Sequence, residues 1–361
     1  MSFGWVALAG LVAGFLAGLA ARYGRLCTMG AAEALIVSRD ARGLKAWGLA
    51  LAVALLAVAG GEALGLVDIT TSIYRQPRID FLATLGGGVL FGLGMAAVGT
   101  CSFGLIVRAG GGDLRAMVTA PLVGITAFAF TGGLLSPLRD IVSGWLTIEL
   151  TAAGSADIGA VIASQAGGTA TAWRLAAAVV IAAVLLALAA SDRGLWRKGR
   201  MAFSAAVLGG AVALGWLATS IAVERFDLDR VESLTFVAPV GRLLLQIMIE
   251  PMRGIEFGAG SVIGVALGAA SVAYARDELR VEAFDDAREM RRHLVGAMLM
   301  GLGGVLARGC TMGQGLSAGS TLALSMPLFV IGALFGAKLG LDYLLEGRLP
   351  WHRLRPRAGD R

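Results

Sequence analysis

The sequence predicts an all-α integral membrane protein of about nine transmembrane helices plus short re-entrant helices, arranged as two inverted pseudo-repeats. Three observations carry that prediction. Charged residues make up 16% of the chain, where a soluble domain holds about 25%. Apolar runs approach the roughly 20 residues that cross a hydrocarbon core, and many of the 53 glycines sit inside them, as membrane helices tolerate. The three cysteines, Cys27, Cys101 and Cys310, each stand where such a run stops.

The runs fall at about 4–21, 46–65, 82–98, 118–136, 172–190, 203–220, 257–275, 294–308 and 322–345. The first has the apolar character of a signal peptide without its basic start or clear cleavage site, so it reads as a retained span. Between spans lie short apolar stretches at 28–40, 102–109, 235–250 and 313–320, which suit half-helices. Irregular backbone at membrane depth must be buried in protein or line a cavity. Residues 137–171, with Asp140, Glu149 and Asp157, form the longest connection with an acidic bias and read as external. Residues 276–292 alternate in charge sign and read as a cytoplasmic helix.

Basic residues orient the spans. With the N-terminus outside, 21 lysines and arginines fall on the inside and nine on the outside, and Lys338 lies within the last span. The C-terminus is then cytoplasmic, with the arginine-rich tail from Arg348 against anionic headgroups. This bias accounts for the +6 net charge without nucleic acid.

The repeat emerges when the chain is aligned on its cysteines. Gly18, Gly92 and Gly301 stand nine residues upstream of them; Gly14, Gly88 and Ala297 stand thirteen upstream. Small residues four apart give one helix face that another backbone can approach closely. A degenerate fourth copy centres on Thr219: Gly210 precedes it by nine, and Pro239 follows it by twenty, as Pro121 follows Cys101. The copies pair into a first membrane repeat (1–150) and a second, inverted one (201–347), joined by a loop and span (151–200) and followed by a basic cytoplasmic tail (348–361). On this reading two helix breaks are approached from each side.

A glycine beside a cysteine at a helix break lets the backbone turn sharply. The following short helix then points its N–H groups at the break, which attracts anions. Three such breaks converging would give a pore lined by thiols and backbone donors, suited to a small anion. A lone membrane cysteine is most often a small buried hydrophobe; three at equivalent repeat positions favour function.

These motifs, Cys27-Thr28-Met29-Gly30, Gly99-Thr100-Cys101-Ser102-Phe103-Gly104 and Arg308-Gly309-Cys310-Thr311-Met312-Gly313, resemble those of the YeeE/YedE family. The resemblance spans roughly 4–345. It implies a bacterial inner-membrane sulfur transporter, with thiosulfate uptake as the family's characterised activity. It also implies that Cys27, Cys101 and Cys310 line a narrow central path, where thiosulfate passes through weak S–H···S contacts. A separate cytosolic sulfur-carrier or sulfurtransferase protein would take up the product.

Secondary candidates surround the cysteines. Thr28, Thr100, Ser102 and Thr311 could donate to oxygens or cap helices. Met29 and Met312 each follow a cysteine by two and could add soft contacts or simply pack. Arg308 could draw anions to the outer mouth, and Lys338 could neutralise the substrate or pair with a carboxylate. Glu62 reads as structural, and Arg22 and Arg25 as topology signals. No cofactor or metal site is expected, since the only histidines, His293 and His352, lie beside basic clusters. Gly110-Gly111-Gly112 lacks the strand and the Gly-Lys-Ser/Thr of a phosphate loop. The expectation is a transporter and not an enzyme. The alternatives are carriage of another sulfur or selenium species or of a soft metal ion, or a membrane thiol oxidoreductase. The last is weakened by the absence of any Cys-x-x-Cys.

Overall fold

A computed structural model describes residues 2–144, 146–197, 199–226, 230–248 and 256–346. The basic tail from Arg348, Lys198 and Arg253 lie outside the described residues. Among those described, nine helical segments are long and apolar enough to cross a membrane. The only sheet among the described residues is a short antiparallel pair, β1 (Arg78–Asp80) with β2 (Thr147–Glu149), in which Ile79 faces Ile148.

Most of the chain is four copies of one unit: a long helix, a short helix and a second long helix. The first unit is α1 (Ser2–Gly24), α2 (Thr28–Ser38) and α3 (Arg42–Ala63). The second is α4 (Phe81–Val98), α5 (Ser102–Gly110) and α6 (Leu114–Thr131). Next come α7 (Ser136–Ser143), α8 (Ile158–Ala166), α9 (Ala170–Ala190) and α10 (Arg193–Arg197). The third unit is α11 (Arg200–Phe226), α12 (Ala238–Met248) and α13 (Phe257–Ala275). In the fourth, α14 (Ala287–Leu306) leads to a π-helical stretch, Thr311–Ser317, which runs into α15 (Ala318–Ser320) and then α16 (Ser325–Glu346). The four short apolar stretches of the sequence are these short helices.

Three expectations need correction. The fourth break is not at Thr219. Helix α11 runs through that residue, whose buried hydroxyl donates to the Glu232 carbonyl at 2.7 Å and lies within reach of the carbonyls of Gly215 and Trp216 in the preceding turn. The described helix continues to Phe226, and the described chain resumes at Arg230, without regular secondary structure up to Leu234-Thr235-Phe236-Val237, just before α12. Residues 276–286 are not helical; the helix begins at Ala287, capped by the Asp286 carboxylate, which accepts from the Glu289 N–H. The 137–171 connection is not a bare loop: it holds α7, β2 and α8.

Glycine sets the helix spacing. A Cβ on Gly10, Gly14 or Gly18 of α1 would overlap the carbonyl oxygens of Phe257, Ser261 or Val265 on α13. In return, Gly260, Gly264 and Gly268 lie on the carbonyls of Ala7, Leu11 and Phe15. The two helices therefore run parallel with backbones touching, the close approach that small residues permit in a membrane. Gly92 of α4 meets the Ala333 carbonyl of α16, and Gly336 meets that of Val89. Each first helix of a unit also packs on the last helix of another: α1 on α13, α11 on α3, α4 on α16 and α14 on α6. Helix α9 joins the halves from the periphery, packed on α3.

Replacing Gly14 by Leu is expected to lower the melting temperature in detergent, since overpacking of this kind costs about 1–3 kcal/mol or more. Gly60→Ala is the control: nothing stands within 4 Å of its missing Cβ. Equal melting temperatures for the two variants would refute the close-packing account.

Candidate functional site

Three breaks share one backbone device. Two residues before each cysteine the chain enters the left-handed region: Arg25 (φ 53°), Gly99 (φ 79°) and Arg308 (φ 58°). Each cysteine is then extended and caps the next helix. Its sulfur accepts the N–H three residues on: Gly30 to Cys27 at 3.4 Å, Gly104 to Cys101 at 3.4 Å and Gly313 to Cys310 at 3.5 Å. A serine or threonine oxygen usually fills that role. Because the sulfur accepts in the cap, the S–H hydrogen remains free to donate elsewhere. Glycine satisfies the left-handed turn without strain, whereas a side chain there costs roughly 1–2 kcal/mol. Arginine at two of the three positions places a charge beside the cysteine despite that cost.

The breaks converge. The Cys27 sulfur lies 3.9 Å from the Thr100 hydroxyl, and the Thr28 hydroxyl lies 3.7 Å from the Cys101 sulfur. Thr28 also donates to Thr311 Oγ1 at 3.5 Å. The fourth unit-start joins them through Thr235, whose hydroxyl is 4.0 Å from the Cys310 sulfur. Phe236 packs on Phe103, with ring centroids 5.1 Å apart. Leu234-Thr235-Phe236-Val237 thus stands where the other units have Cys-Thr/Ser-Met/Phe-Gly, with leucine in place of cysteine.

Two cavities reach this cluster from opposite ends of the spanning helices. One, of about 810 Å³, is lined by Arg25, Cys27, Arg42, Arg197 and Arg200 near the ends of α1 and α10 and the starts of α3 and α11. The other, of about 460 Å³, is lined by Tyr74, Arg78, Thr235, Arg242, Arg308 and Gly309, among others, at the far ends. Both are rich in arginine. Cys27 is half-buried at the floor of the first; Cys101 and Cys310 are buried between the two.

Of the secondary candidates, Thr28, Thr100 and Thr311 join the cluster. Ser102 is buried beside Cys101, and its hydroxyl has no partner among the described residues. Met29 and Met312 are packed in the core. Arg308 reaches Asp80 at 2.7 Å and Gln76 at 3.3 Å on the wall of the second cavity. Burial opposes ionisation of Asp80, but hydrogen bonding from Arg78 and the charge of Arg308 prevail, holding its carboxyl below the usual range. Lys338 is not part of the cluster: it lies on the exposed face of α16, so the structure gives it no place beside the cysteines. Glu62 is structural, as expected, in a bidentate pair with Arg75 at 2.7 Å. Arg22 and Arg25 pair with Glu278 at 3.6 and 3.3 Å.

Sequence reasoning missed Tyr74 and Thr235. Tyr74 lies in a connection with no periodic signal. The spacing Thr235-Phe236 against Ser102-Phe103 was the clue to the second.

A family model described as sulphur transport matches residues 23–339, a stretch that contains all three breaks. The chain belongs to the sulphur transport family. The YeeE/YedE resemblance drawn from the cysteine motifs is borne out, and with it a transporter's role in place of an enzyme's. One relative, named thiosulfate transporter TsuA, from Escherichia coli K12, is 25% identical over 327 residues, covering 86% of each chain. A second of that name, from Spirochaeta thermophila, is 24% identical over 330 residues, covering 91% of this chain and 96% of its own.

Proposed function

We propose that this member of the family imports thiosulfate across a bacterial inner membrane, along a path lined by Cys27, Cys101 and Cys310. The observation that carries this is the convergence of three cysteine-capped breaks between two arginine-lined cavities. The naming of both relatives supports the choice of substrate.

The chemistry matches. Thiosulfate is a small dianion with a soft terminal sulfur and hard oxygens. Thiols are soft, weak hydrogen-bond donors, and several weak stations let an anion both arrive and leave. Sulfate lacks the soft terminus and gains less. A protonated thiol can donate, whereas a thiolate would repel the dianion. Arginines at each mouth raise the local anion concentration.

Basic-residue bias orients the chain with its N-terminus outside, so the cavity at Cys27 opens to the cytoplasm. The reciprocal packing of α1 on α13 with α11 on α3, and of α4 on α16 with α14 on α6, supports two inverted pseudo-repeats, 1–150 and 201–347, linked by 151–200. Moving a dianion inward against 100 mV costs about 4.6 kcal/mol, at roughly 2.3 per charge. A passive path therefore needs its product removed, which favours a separate cytosolic sulfur-carrier or sulfurtransferase partner. A copper-thiolate reading would need ligands gathered at one point. Among the described residues no group of three Cys, His, Asp or Glu side chains is so placed.

The test is uptake of radiolabelled thiosulfate into proteoliposomes of the full chain, with sulfate as competitor. Saturable uptake that excess sulfate barely inhibits is expected. No uptake above empty liposomes would sink the proposal, and equal inhibition by sulfate would remove the thiol basis for selectivity.

A further inference from the structure

Tyr74 is the polar side chain that the fold and the thiol path leave unused. It sits on the 3₁₀ turn Ile73–Arg75 with its ring edge-on to Trp216, centroids 6.3 Å apart. Its relative exposure is 6%, yet its hydroxyl has no hydrogen-bond partner among the described residues. The ring is buried, while the hydroxyl oxygen itself keeps access to the cavity, where it is free to donate. The residue lines the 460 Å³ cavity.

The hydroxyl points at the start of the fourth break. It lies 3.2 Å from where a Cβ on Gly309 would stand and 3.1 Å from where one on Gly313 would stand. The Thr235 hydroxyl lies 2.5 Å from the same Gly313 position. The Gly313 N–H is itself 3.5 Å from the Cys310 sulfur. Three donors of different hardness therefore ring one bare α-carbon: a phenol, an aliphatic hydroxyl and a thiol. Glycine at 313 lets the two hydroxyls close in on the break, since a methyl there would collide with Thr235 and crowd Tyr74; the room for an anion lies on their other side, in the cavity that Tyr74, Thr235 and Gly309 line.

We infer that Tyr74, Thr235 and Cys310 form an oxyanion station at the inner end of the outer cavity, with the two hydroxyls on substrate oxygens and the thiol on its soft sulfur. The inference rests on the transport reading for its direction of travel, and on geometry for the site itself. The station orients the anion: hard end toward Tyr74 and Thr235, soft end toward Cys310 and the path beyond it. Burial pushes the Tyr74 phenol upward, helped by the charge of Glu232, so it remains an O–H donor at every physiological pH. Glu232, the carboxylate on the same wall, is paired with Arg242 at 3.4 Å. Asp80 is paired with Arg308 and Arg78. The nearby acids are thus neutralised before an anion arrives.

The experiment is a calorimetric titration of the full-length protein in detergent with sodium thiosulfate and, separately, sodium sulfate. Uptake is measured in parallel in proteoliposomes. Tyr74→Phe removes one oxygen and keeps the ring against Trp216; Thr235→Val does the same for the second hydroxyl. Each is expected to weaken thiosulfate binding roughly 10-fold or more, since a hydrogen bond to a charged group is worth about 1.5–3 kcal/mol and 1.4 is tenfold. Both are also expected to raise the concentration for half-maximal uptake more than they lower the maximal rate. Unchanged affinity in both variants overturns the station while leaving the transport reading intact. Thiosulfate binding that Tyr74→Phe weakens, without uptake by the unaltered protein, supports the station and overturns transport. No saturable binding by the unaltered protein overturns the station.

Discussion

Cys310→Ala is expected to cut thiosulfate uptake roughly 10- to 100-fold, and Cys310→Ser to restore the fold but not the selectivity. Cys310 has two separable jobs. Its sulfur caps the π-helical stretch by accepting the Gly313 N–H, and its S–H is free to meet the substrate. Alanine removes both. Losing a contact to a charged ligand is worth about 1.5–3 kcal/mol, which sets the fold-change. Losing a cap costs a further 0.5–2 kcal/mol of stability, roughly. Serine is the better cap by general preference, so Cys310→Ser keeps the break and isolates the chemistry. What changes is softness: an O–H holds sulfate oxygen as readily as it holds the sulfane sulfur. Sulfate should therefore inhibit the serine variant more than the unaltered protein. Radiolabelled uptake with and without sulfate reads both effects. A serine variant with normal rate and normal selectivity would show that the thiol supplies only a cap. The same exchange at Cys27, half-buried at the 810 Å³ cavity, is expected to do less than at Cys101 or Cys310, which are buried.

The cysteines made the site legible because chain economy put all three at one repeated position, and apolar length made the spans legible. Two kinds of information were not readable. One is where a break falls when its marker is lost. Thr219 lies at the right spacing after Gly210, but spacing counted along a helix cannot tell how far that helix continues. Helix α11 is 27 residues long, and its break comes only at Leu234. The other is what long-range folding brings to the site from unpatterned connections. Tyr74 lies in a segment without periodicity, and only the tertiary structure sets its hydroxyl beside Gly313. Lys338 errs in the opposite direction. A charge inside an apolar run attracts a functional reading, yet its helical position turns it to the exposed face of α16. A long lysine there can reach the interface with its head while its stem stays in lipid.

Arg75→Met is expected to destabilise the protein by about 3–5 kcal/mol, because it strands buried carboxylates. Arg75 is 3% exposed at its side chain and grips Glu62 through two 2.7 Å bonds. Its Nε lies 3.9 Å from Asp157, which Arg174 also holds, at 2.8 Å. Two cations and two anions thus tie the end of α3, the turn carrying Tyr74, the start of α8 and the start of α9. Arg78→Met is the contrast. Arg78 is 46% exposed, and its pair with Asp80 is worth about 1 kcal/mol at most after solvent screening. Adding Glu62→Gln to Arg75→Met should recover part of the loss, since it removes one stranded charge. Thermal unfolding in detergent checks all three; similar melting temperatures for Arg75→Met and Arg78→Met would refute the network. Acid should expose the same linkage. Burial disfavours ionised Asp157, but Arg174, Ser155 and the Ala160 N–H outweigh it and hold the carboxyl below its usual range. The unfolded chain therefore takes up this proton first as pH falls. The stabilisation is present above about pH 4, the ordinary aspartate value, and is lost as pH drops through the lower folded value. Asp157→Asn should flatten that acid limb, and because the turn held by Arg75 also carries Tyr74, loosening the network should weaken thiosulfate binding before the protein unfolds.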